Sequence, residues 1–220
     1  MKNLLKMLVI AAVLLTASCS KDDEPKTYGS ANLPLLPASF EQNNAVNITD
    51  ATGGCGSNAV TTPVVSEIMI SNNGIIIDPS KVTIDLGLSH TWCGDLVVEL
   101  IAPSGDSCTL IKRLGSSSNE DSCASGANFI STNILSFNSL NPDPINVLNY
   151  TTDDEVPAGN YMPSSGAGTF LPSVKMTPLK GFLMNKSING TWKLRVADYG
   201  GGDSGSIQNW KIRFEAAALF

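Results

Sequence analysis

Short stretches in which hydrophobic and polar residues alternate dominate the chain from about residue 61 to its end. In four of them every second residue is hydrophobic: Val82-Ile84-Leu86, Leu96-Val98-Leu100, Trp192-Leu194-Val196 and Trp210-Ile212-Phe214. A period of two is typical of a β-strand with one buried face. Almost no segment has the period of an amphipathic helix. We therefore predict two-faced strands whose alternating hydrophobic residues, both tryptophans included, face a core.

Turn-forming residues separate these stretches, and they occur at short, regular intervals. They are Asn72-Asn73-Gly74, Asp78-Pro79, Pro103-Ser104-Gly105-Asp106, Asn141-Pro142, Asn189-Gly190 and Asp203-Ser204-Gly205. Gly, Asn, Asp and Pro are the residues whose backbone preferences suit tight turns. Many short strands with such turns predict an all-β protein. We expect an antiparallel β-sandwich of the jelly-roll type, similar to galactose-binding domains.

The N-terminus reads as an export signal. A basic start with Lys2 and Lys6 precedes an apolar run that ends near Ala17. Such a pairing is typical of a signal peptide, and the run is shorter than the ~20 residues that span a bilayer. The segment Thr16-Ala17-Ser18-Cys19 resembles a bacterial lipobox with Thr in place of the usual Leu. The resemblance implies cleavage after residue 18 and lipidation of Cys19; a plain secreted protein is the alternative.

The segment after Cys19 is short, acidic and without hydrophobic periodicity. Ser20-Lys21-Asp22-Asp23-Glu24 resembles the export tag that sends lipoproteins of Bacteroidetes-type bacteria to the outer face of the outer membrane. We therefore predict three regions: a signal peptide (1–18), a lipidated N-terminus and polar tether (19–60) and one β-sandwich domain (61–220). The sequence leaves open whether residues 41–60 belong to the fold.

Composition excludes several classes of function. Only 15% of the residues are charged, the net charge is −6, and the chain has one histidine. Removal of residues 1–18 leaves 12 basic and 20 acidic residues, a net charge of −8. The chain therefore lacks the basic footprint of a nucleic-acid-binding protein, so no nucleic-acid partner is expected. A zinc site with two imidazole ligands is excluded as well.

Four cysteines remain after Cys19: Cys55, Cys93, Cys108 and Cys123. An even number in an oxidising compartment predicts two disulfides, with three connectivities open. Cys93 and Cys108 flank the turn at Ser104-Gly105 but are not equidistant from it, which disfavours their pairing. We favour a bond between Cys93 and Cys123. The absence of a Cys-x-x-Cys spacing argues against a thiolate metal site.

Two long segments carry a family resemblance. The first, residues 89–105, reads SHTWCGDLVVELIAPSG and resembles the His-Thr-aromatic-x-Gly-Asp-Leu…Pro-x-Gly signature of the proprotein convertase P domain, or Homo B domain. The second, residues 189–212, is similar to its closing Gly-x-Trp-x-Leu-x-Val-x-Asp…Gly-Asp-x-Gly pattern. Residues 152–155 and 159–163 resemble the acidic turn and the Gly-x-Tyr-x-Pro step between them. The resemblance covers roughly residues 62–216.

This resemblance implies a β jelly roll that normally follows a subtilisin-like protease domain, which it stabilises or assists. We therefore expect a non-catalytic, surface-anchored lipoprotein that binds or stabilises a protein partner, with a subtilisin-like protease as one candidate. Its membrane contact is expected through the lipid anchor only. One alternative is a component of a serine-type endopeptidase system that acts in proteolysis. Another is a carbohydrate-binding jelly roll, which requires an exposed row of aromatic residues.

One short motif imitates a catalytic site. Gly202-Asp203-Ser204-Gly205 copies the nucleophile turn of trypsin-like proteases. The 16 residues after Ser204 are too few to build the rest of such an enzyme, and no upstream segment has the length of a subtilisin-like domain. We predict a tight turn with a positive φ at Gly205. His90 is predicted as a buried or half-buried residue held by hydrogen bonds at a strand end.

Carboxylates near strand ends and turns are the remaining candidates for chemistry. Calcium takes six to eight oxygen ligands and favours carboxylates on loops, and the family resemblance implies structural calcium in loops of this kind. The candidate ligands are Asp95, Asp153, Asp154, Asp198 and Asp203. In the alternative interpretation, Asp95 caps a turn through backbone N–H groups and residues 153–155 form a solvated loop.

Overall fold

The computed structural model describes residues 37–116, 122–147, 150–164, 177–216 and 218–219. The predicted signal peptide and Cys19 lie outside these ranges. Twelve strands and one short α-helix are described, in the following order. They are β1 (Ala38–Gln42), β2 (Val46–Asn47), β3 (Thr52–Gly53), β4 (Ala59–Val60), β5 (Val64–Ile70), β6 (Val82–His90), β7 (Leu96–Ile101), β8 (Ser107–Lys112), β9 (Leu135–Phe137), β10 (Gly159–Tyr161), α1 (Leu179–Leu183), β11 (Gly190–Asp198) and β12 (Gly205–Phe214).

Two main sheets form the domain. The larger has the strand order β1-β12-β6-β9-β10, with β2 also paired to β12, and the smaller has the order β5-β11-β7-β8. β3 and β4 form a separate two-stranded ladder. All these pairs are antiparallel except β9 with β10, which is parallel. The prediction of an all-β, largely antiparallel sandwich is confirmed, and the jelly-roll topology stays a prediction.

The core includes all the residues that the alternation singled out. All twelve hydrophobic residues of the four patterned stretches are buried, none more than 2% exposed. The two sheets are also joined by a polar contact, because Trp210 Nε1 donates a hydrogen bond to Ser66 Oγ (2.9 Å). Trp192 Nε1 donates to the Ile188 carbonyl (3.0 Å). A buried indole N–H needs such a partner, so both tryptophans are core residues, as predicted.

The strand directions give the sandwich two distinct ends. At one end β6 begins with Val82 opposite Phe214, the last residue of β12, and Ala38 of β1 also lies opposite Phe214. We call this the tether end, because the chain from the N-terminus joins the sheet here. At the opposite end β6 finishes with His90 and β11 finishes with Asp198. We call that end the disulfide end, because the bond between Cys55 and Cys123 lies there.

Residues 38–60 belong to the fold, so the predicted tether boundary at residue 60 is too late. β1 pairs with β12 over five residues, from Ala38 opposite Phe214 to Gln42 opposite Trp210. The rings of Phe40 and Phe214 pack edge to face, with centroids 6.2 Å apart. Ile48 and Ala51 are buried. With Phe40 as its only large hydrophobic residue, β1 does not stand out in the sequence, although its five residues are enough to extend a sheet.

The structure pairs Cys55 with Cys123 and leaves Cys93 and Cys108 as buried thiols. The favoured bond between Cys93 and Cys123 is therefore wrong, and one disulfide replaces the predicted two. Cys93 donates to the Ser125 carbonyl and Cys108 to the Thr177 carbonyl. Both side chains are fully buried in the core. The disfavoured pairing of Cys93 with Cys108 is indeed not formed.

Candidate functional site

A cluster of ionisable side chains is buried at the disulfide end of the sandwich. Its members are His90, Asp95, Arg113 and Asp198, none more than 2% exposed. They come from the end of β6, the turn before β7, the residue after β8 and the end of β11. Strand ends from both sheets therefore converge on one polar interior, which we call the buried polar cluster. Burying charged groups is unfavourable unless they interact with one another.

His90 and Asp198 are the best-satisfied pair of this cluster. His90 Nε2 lies 3.2 Å from Asp198 Oδ2, and both side chains are inaccessible to solvent. The other ring nitrogen, Nδ1, lies 2.9 Å from the Trp92 carbonyl oxygen. Asp198 Oδ1 accepts a hydrogen bond from the Gly200 N–H (2.9 Å). The prediction that His90 is a buried residue held by hydrogen bonds at a strand end is confirmed.

The protease-like turn around Ser204 is held by contacts of a different kind. Ser204 N–H donates to Thr91 Oγ1, and the Thr91 N–H donates to the Ser204 carbonyl (both 3.3 Å). Both ring nitrogens of His90 are occupied by Trp92 and Asp198, so His90 is not placed as a base for Ser204. The predicted positive φ lies at Gly202 (107°) rather than at Gly205. Gly205 is needed for another reason, since a Cβ there would overlap the Ser89 carbonyl.

Asp95 is the least satisfied member of the cluster. Its carboxylate Oδ1 is buried and has no hydrogen-bond partner. Gly200 packs directly against this carboxylate, and a Cβ at Gly200 would overlap it. Burial, the largest cause, and the charge of Asp198 together raise the pKa of Asp95 to about 7, against the opposing effect of Arg113. An ionised Asp95 therefore needs more compensating positive charge than the protein groups supply.

The other predicted calcium ligands occupy two different places. Asp203 lies at the disulfide end beside the cluster, where its Oδ1 accepts a hydrogen bond from Thr91 Oγ1 (2.7 Å). Asp153 and Asp154 lie on an exposed turn, and Asp154 Oδ2 accepts hydrogen bonds from the backbone N–H and hydroxyl of Thr151. These bonds lower the pKa of Asp154. The five carboxylates do not form one cluster, and no three metal-ligating side chains of the described residues gather around one point.

A segment from the N-terminal part of the domain covers the buried polar cluster. The loop at residues 199–203 lies directly above Asp95, and residues 50–56 lie above that loop. The Asp50 carboxylate accepts a hydrogen bond from the Gly202 N–H (3.1 Å), and the Gly56 N–H donates to the Tyr199 carbonyl (2.8 Å). The disulfide then fixes Cys55 to the rest of the domain. Sequence reasoning missed Asp50, because no motif surrounds it.

The tryptophans do not form a sugar-stacking surface in the described part of the chain. Trp192 and Trp210 are buried in the core. Trp92 is half-buried; its indole N–H donates to the Cys123 carbonyl (2.6 Å), and its ring packs against Gly126. The exposed tryptophan row that the carbohydrate-binding alternative requires is therefore not present among these three residues. No helix in the described ranges has the length and hydrophobicity needed to cross a membrane.

Fold and site together define a class of all-β domain whose buried ionisable residues bind one another and fix the ends of its strands. Comparison of the sequence with known families finds a similar domain. The family model of the proprotein convertase P-domain matches residues 79–137 and 178–214 of this chain. The two matched ranges contain β6 to β9 and α1 to β12, which supply His90, Asp95 and Asp198.

Curated relatives include much longer proteins. The chain is 29% identical over 175 residues to the transglutaminase-activating metalloprotease of Streptomyces mobaraensis. This alignment covers 80% of this chain and 15% of that protein. The chain is 26% identical over 185 residues to leupeptin-inactivating enzyme 1 of Streptomyces exfoliatus. This second alignment covers 84% of this chain and 28% of that protein. The chain thus spans less than a third of the length of either relative.

Two solved structures of an Aeromonas sobria serine protease are also similar to this chain. The protease alone matches with 18% identity and a TM-score of 0.39, covering 84% of this chain and 28% of that one. The protease with its chaperone matches with 16% identity and a TM-score of 0.38, covering 81% and 27%.

Proposed function

We propose that this chain is a non-catalytic, lipid-anchored protein of the outer cell surface whose P domain binds and stabilises a protein partner. The observation that carries the proposal is the P-domain match across the core strands, together with the internal use of both His90 ring nitrogens. The histidine that a serine protease would use as a base serves the fold here. A subtilisin-like protease is the partner class that the P-domain resemblance favours, because such a domain normally follows a protease domain of that type. One of the similar proteins is itself named a metalloprotease.

Partner binding is tested with the folded mature chain as bait in outer-membrane extracts of the native organism. We expect capture of a serine or metalloprotease, and a longer half-life of that protease at elevated temperature when the purified chain is added. The heat-unfolded chain serves as the control bait. Capture by the unfolded chain to the same extent, or an unchanged protease half-life, contradicts the stabilising role.

The non-catalytic role has a separate test. The purified chain and its Ser204→Ala variant should both be inactive on casein and on short peptide substrates. Peptide hydrolysis that survives purification and disappears in Ser204→Ala would overturn this part of the proposal and would favour the endopeptidase alternative.

Surface anchoring depends on Cys19. Palmitate labelling of cells should mark the wild-type chain and leave Cys19→Ser unlabelled, and the variant should pass into the soluble fraction. Proteinase K added to intact cells should degrade the anchored chain if it lies on the outer face. A labelled chain that resists the protease until the cells are broken contradicts the outer-face location.

Structural calcium is a second proposal, favoured by one observation. The buried Asp95 Oδ1 lacks a hydrogen-bond partner, in a cluster that also contains Asp198 and has Asp203 at its rim. A hard cation would neutralise the repulsion between these carboxylates and would stabilise the loop at residues 199–203. The exposed Asp153 and Asp154 do not fit this site, since they lie on a different turn.

Calcium binding is measured by the shift in melting temperature between EDTA and calcium chloride, with elemental analysis of the purified chain. We expect calcium to stabilise the wild type and Asp154→Asn, which serves as the matched control, and to have no effect on Asp95→Asn. Equal responses in all three proteins, or no response in any, would sink the proposal.

A further inference from the structure

One edge of the smaller sheet has no neighbouring strand in the described part of the chain. The sheet has the order β5-β11-β7-β8, so β5 (Val64–Ile70) and β8 are its two edges. At β8, the Ser164 N–H donates to the Leu110 carbonyl (2.9 Å), and the Lys112 N–H donates to Ser164 Oγ (3.0 Å). The chain itself therefore covers part of the β8 edge, whereas β5 pairs with β11 alone among the described strands.

The hydrogen bonds of the ladder show which backbone groups of β5 point away from the sheet. The Tyr199 N–H donates to the Asp95 carbonyl (2.8 Å), which continues the register of β11 on β7. Hydrogen-bonded pairs alternate along an antiparallel ladder, so the odd-numbered residues of β11 bond to β7 and its even-numbered residues bond to β5. In the register of β5 on β11, even-numbered residues lie opposite one another. The N–H and C=O groups of Val65, Glu67 and Met69 therefore point to the open edge.

A contact from the other sheet confirms this direction. Gln42, the last residue of β1, donates a hydrogen bond from Nε2 to the Glu67 carbonyl (3.3 Å). A carbonyl that faced β11 would instead be bonded within the ladder. Within the described ranges, this is the one hydrogen bond that reaches the backbone groups of Val65, Glu67 or Met69. Because a flexible side chain makes it, a ligand can displace it.

The outer face of β5 adds side chains to this row of open backbone groups. Val65 is 42% exposed and Met69 is 70% exposed. Glu67 lies between them and forms an ion pair with Lys193 of β11 (2.7 Å), in which both side chains stay partly exposed. Natural sheets protect an open edge with Pro, Lys or a bulge. The seven residues of β5 contain no Pro or Lys, and their register with β11 has no shift, so this edge is a template for another strand.

The chemistry of the edge selects an extended peptide segment. The open backbone groups recur at every second residue, about 6.8 Å apart, and another strand presents donors and acceptors at the same spacing. Hydrophobic side chains of that strand would pack beside Val65 and Met69, and a basic side chain would lie opposite Glu67. A second copy of β5 fits less well. Full overlap of two antiparallel copies places Glu67 opposite Glu67, and like charges in that position are destabilising.

We propose that β5 is the docking strand for the protein partner, and that it binds an extended segment with a basic residue between two hydrophobic residues at alternate positions. The segment joins the smaller sheet beside β5. Its backbone bonds to the open groups of Val65, Glu67 and Met69, and one of its N–H groups replaces the Gln42 amide on the Glu67 carbonyl. The inference rests on the proposed partner binding, to which it adds the surface and the pattern that this surface recognises.

The test uses the purified mature chain and a synthetic heptapeptide with blocked ends, Thr-Val-Thr-Lys-Thr-Val-Thr. Amide hydrogen exchange is measured by NMR. In the free chain, the even-numbered amides of β5 should be protected by the ladder, and those of Val65, Glu67 and Met69 should exchange quickly. The peptide at millimolar concentration should protect these three amides as well. Packing of side chains without a new strand would not produce this alternate pattern.

Three variants separate the backbone contacts from the side-chain contacts. Val65→Pro removes one open N–H, leaves the ladder to β11 intact and should weaken peptide binding about tenfold. Val65→Thr keeps this N–H and a similar shape, so it is the matched control and should bind nearly as the parent does. The parent should prefer the Lys peptide about threefold over the same peptide with a central Glu, and Glu67→Lys should reverse this preference. Unchanged melting temperatures confirm that the variants are folded.

The proposal fails if the peptide protects none of the three amides, if Val65→Pro binds it as the parent does, or if Val65→Thr loses as much. A dimer of the chain that dissociates in Val65→Pro would assign the edge to a second copy and would overturn the proposal too. Capture of a protease that Val65→Pro leaves unchanged contradicts the docking strand and supports the proposed function. Peptide binding at β5 without capture of a protease from outer-membrane extracts supports the docking strand and contradicts the proposed function.

Discussion

Replacing Cys55 and Cys123 together by serine removes the one disulfide that the described residues contain. The bond joins positions 68 residues apart in the chain. In the chain-entropy model, a cross-link across a loop of this length disfavours the unfolded state by about 4 kcal/mol. We therefore expect the free energy of unfolding of the double variant to be lower by about 2 to 4 kcal/mol. For a domain of this size the melting temperature should fall by about 10 °C.

Urea unfolding monitored by tryptophan fluorescence measures the change, because Trp192 and Trp210 are buried and become exposed on unfolding. The wild-type protein in reductant provides the matched control, since it has the same chain without the cross-link. Reductant should bring the wild type to the stability of the double variant and leave the variant unchanged. A loss below about 1 kcal/mol, or a peptide map that joins Cys93 to Cys123, would refute the reasoning.

Three other predictions follow from the buried groups. The pKa of Asp95 is raised to about 7 from 3.8, so between these values the folded state keeps a proton that the unfolded chain has lost. In EDTA, the free energy of unfolding of the wild type should therefore fall by about 2 kcal/mol from pH 5 to pH 7 relative to that of Asp95→Asn. Urea unfolding measures both proteins, and an equal pH dependence of the two would contradict the prediction. Burial raises the pKa of Cys93 to about 11 and that of Cys108 to about 12. Iodoacetamide at pH 8 should therefore label neither thiol in the native protein and both thiols in urea, and mass spectrometry measures the labelling. Gly200→Ala should lower the free energy of unfolding by about 1 to 3 kcal/mol, because the added Cβ overlaps the Asp95 carboxylate. The control Gly181→Ala changes an open position of α1 and should be neutral or stabilising. Equal effects of the two substitutions would exclude the steric explanation.

The strands of the core could be predicted because their signal is local. In β6, β7, β11 and β12 every second residue of a five-residue stretch is hydrophobic, and all of these residues are buried. The residues between them are half-buried in β11 and β12 but buried in β6 and β7. β1 could not be found in this way, since Phe40 is its only large hydrophobic residue and its partner β12 is more than 160 residues away. Such a strand is stabilised by the edge of the sheet with which it pairs. That edge exists only in the folded state, so the sequence of the strand itself does not show it.

The site was only partly predictable for the same reason. A histidine at a strand end predicts a hydrogen-bonded residue, and His90 is one. Its partner Asp198 lies 108 residues further along the chain, and nothing near either residue indicates the pair. The disulfide shows the limit most clearly. The spacing of the cysteines was enough to disfavour a bond between Cys93 and Cys108. The contact of residues 50–56 with the loop at residues 199–203, which brings Cys55 close to Cys123, has no signal in the sequence.

The disulfide also sets how the domain responds to mechanical force. A pull on Ala38 can peel β1 and β2 away from β12, since only backbone hydrogen bonds and a few side chains hold them. Peeling stops at Cys55, where the covalent bond transfers the force to Cys123 and bypasses the intervening strands. The 17 residues released before that point extend by about 60 Å at most. The N-terminal strands are therefore a short extensible element in series with a rigid domain, and the bond at Cys55 is its stop.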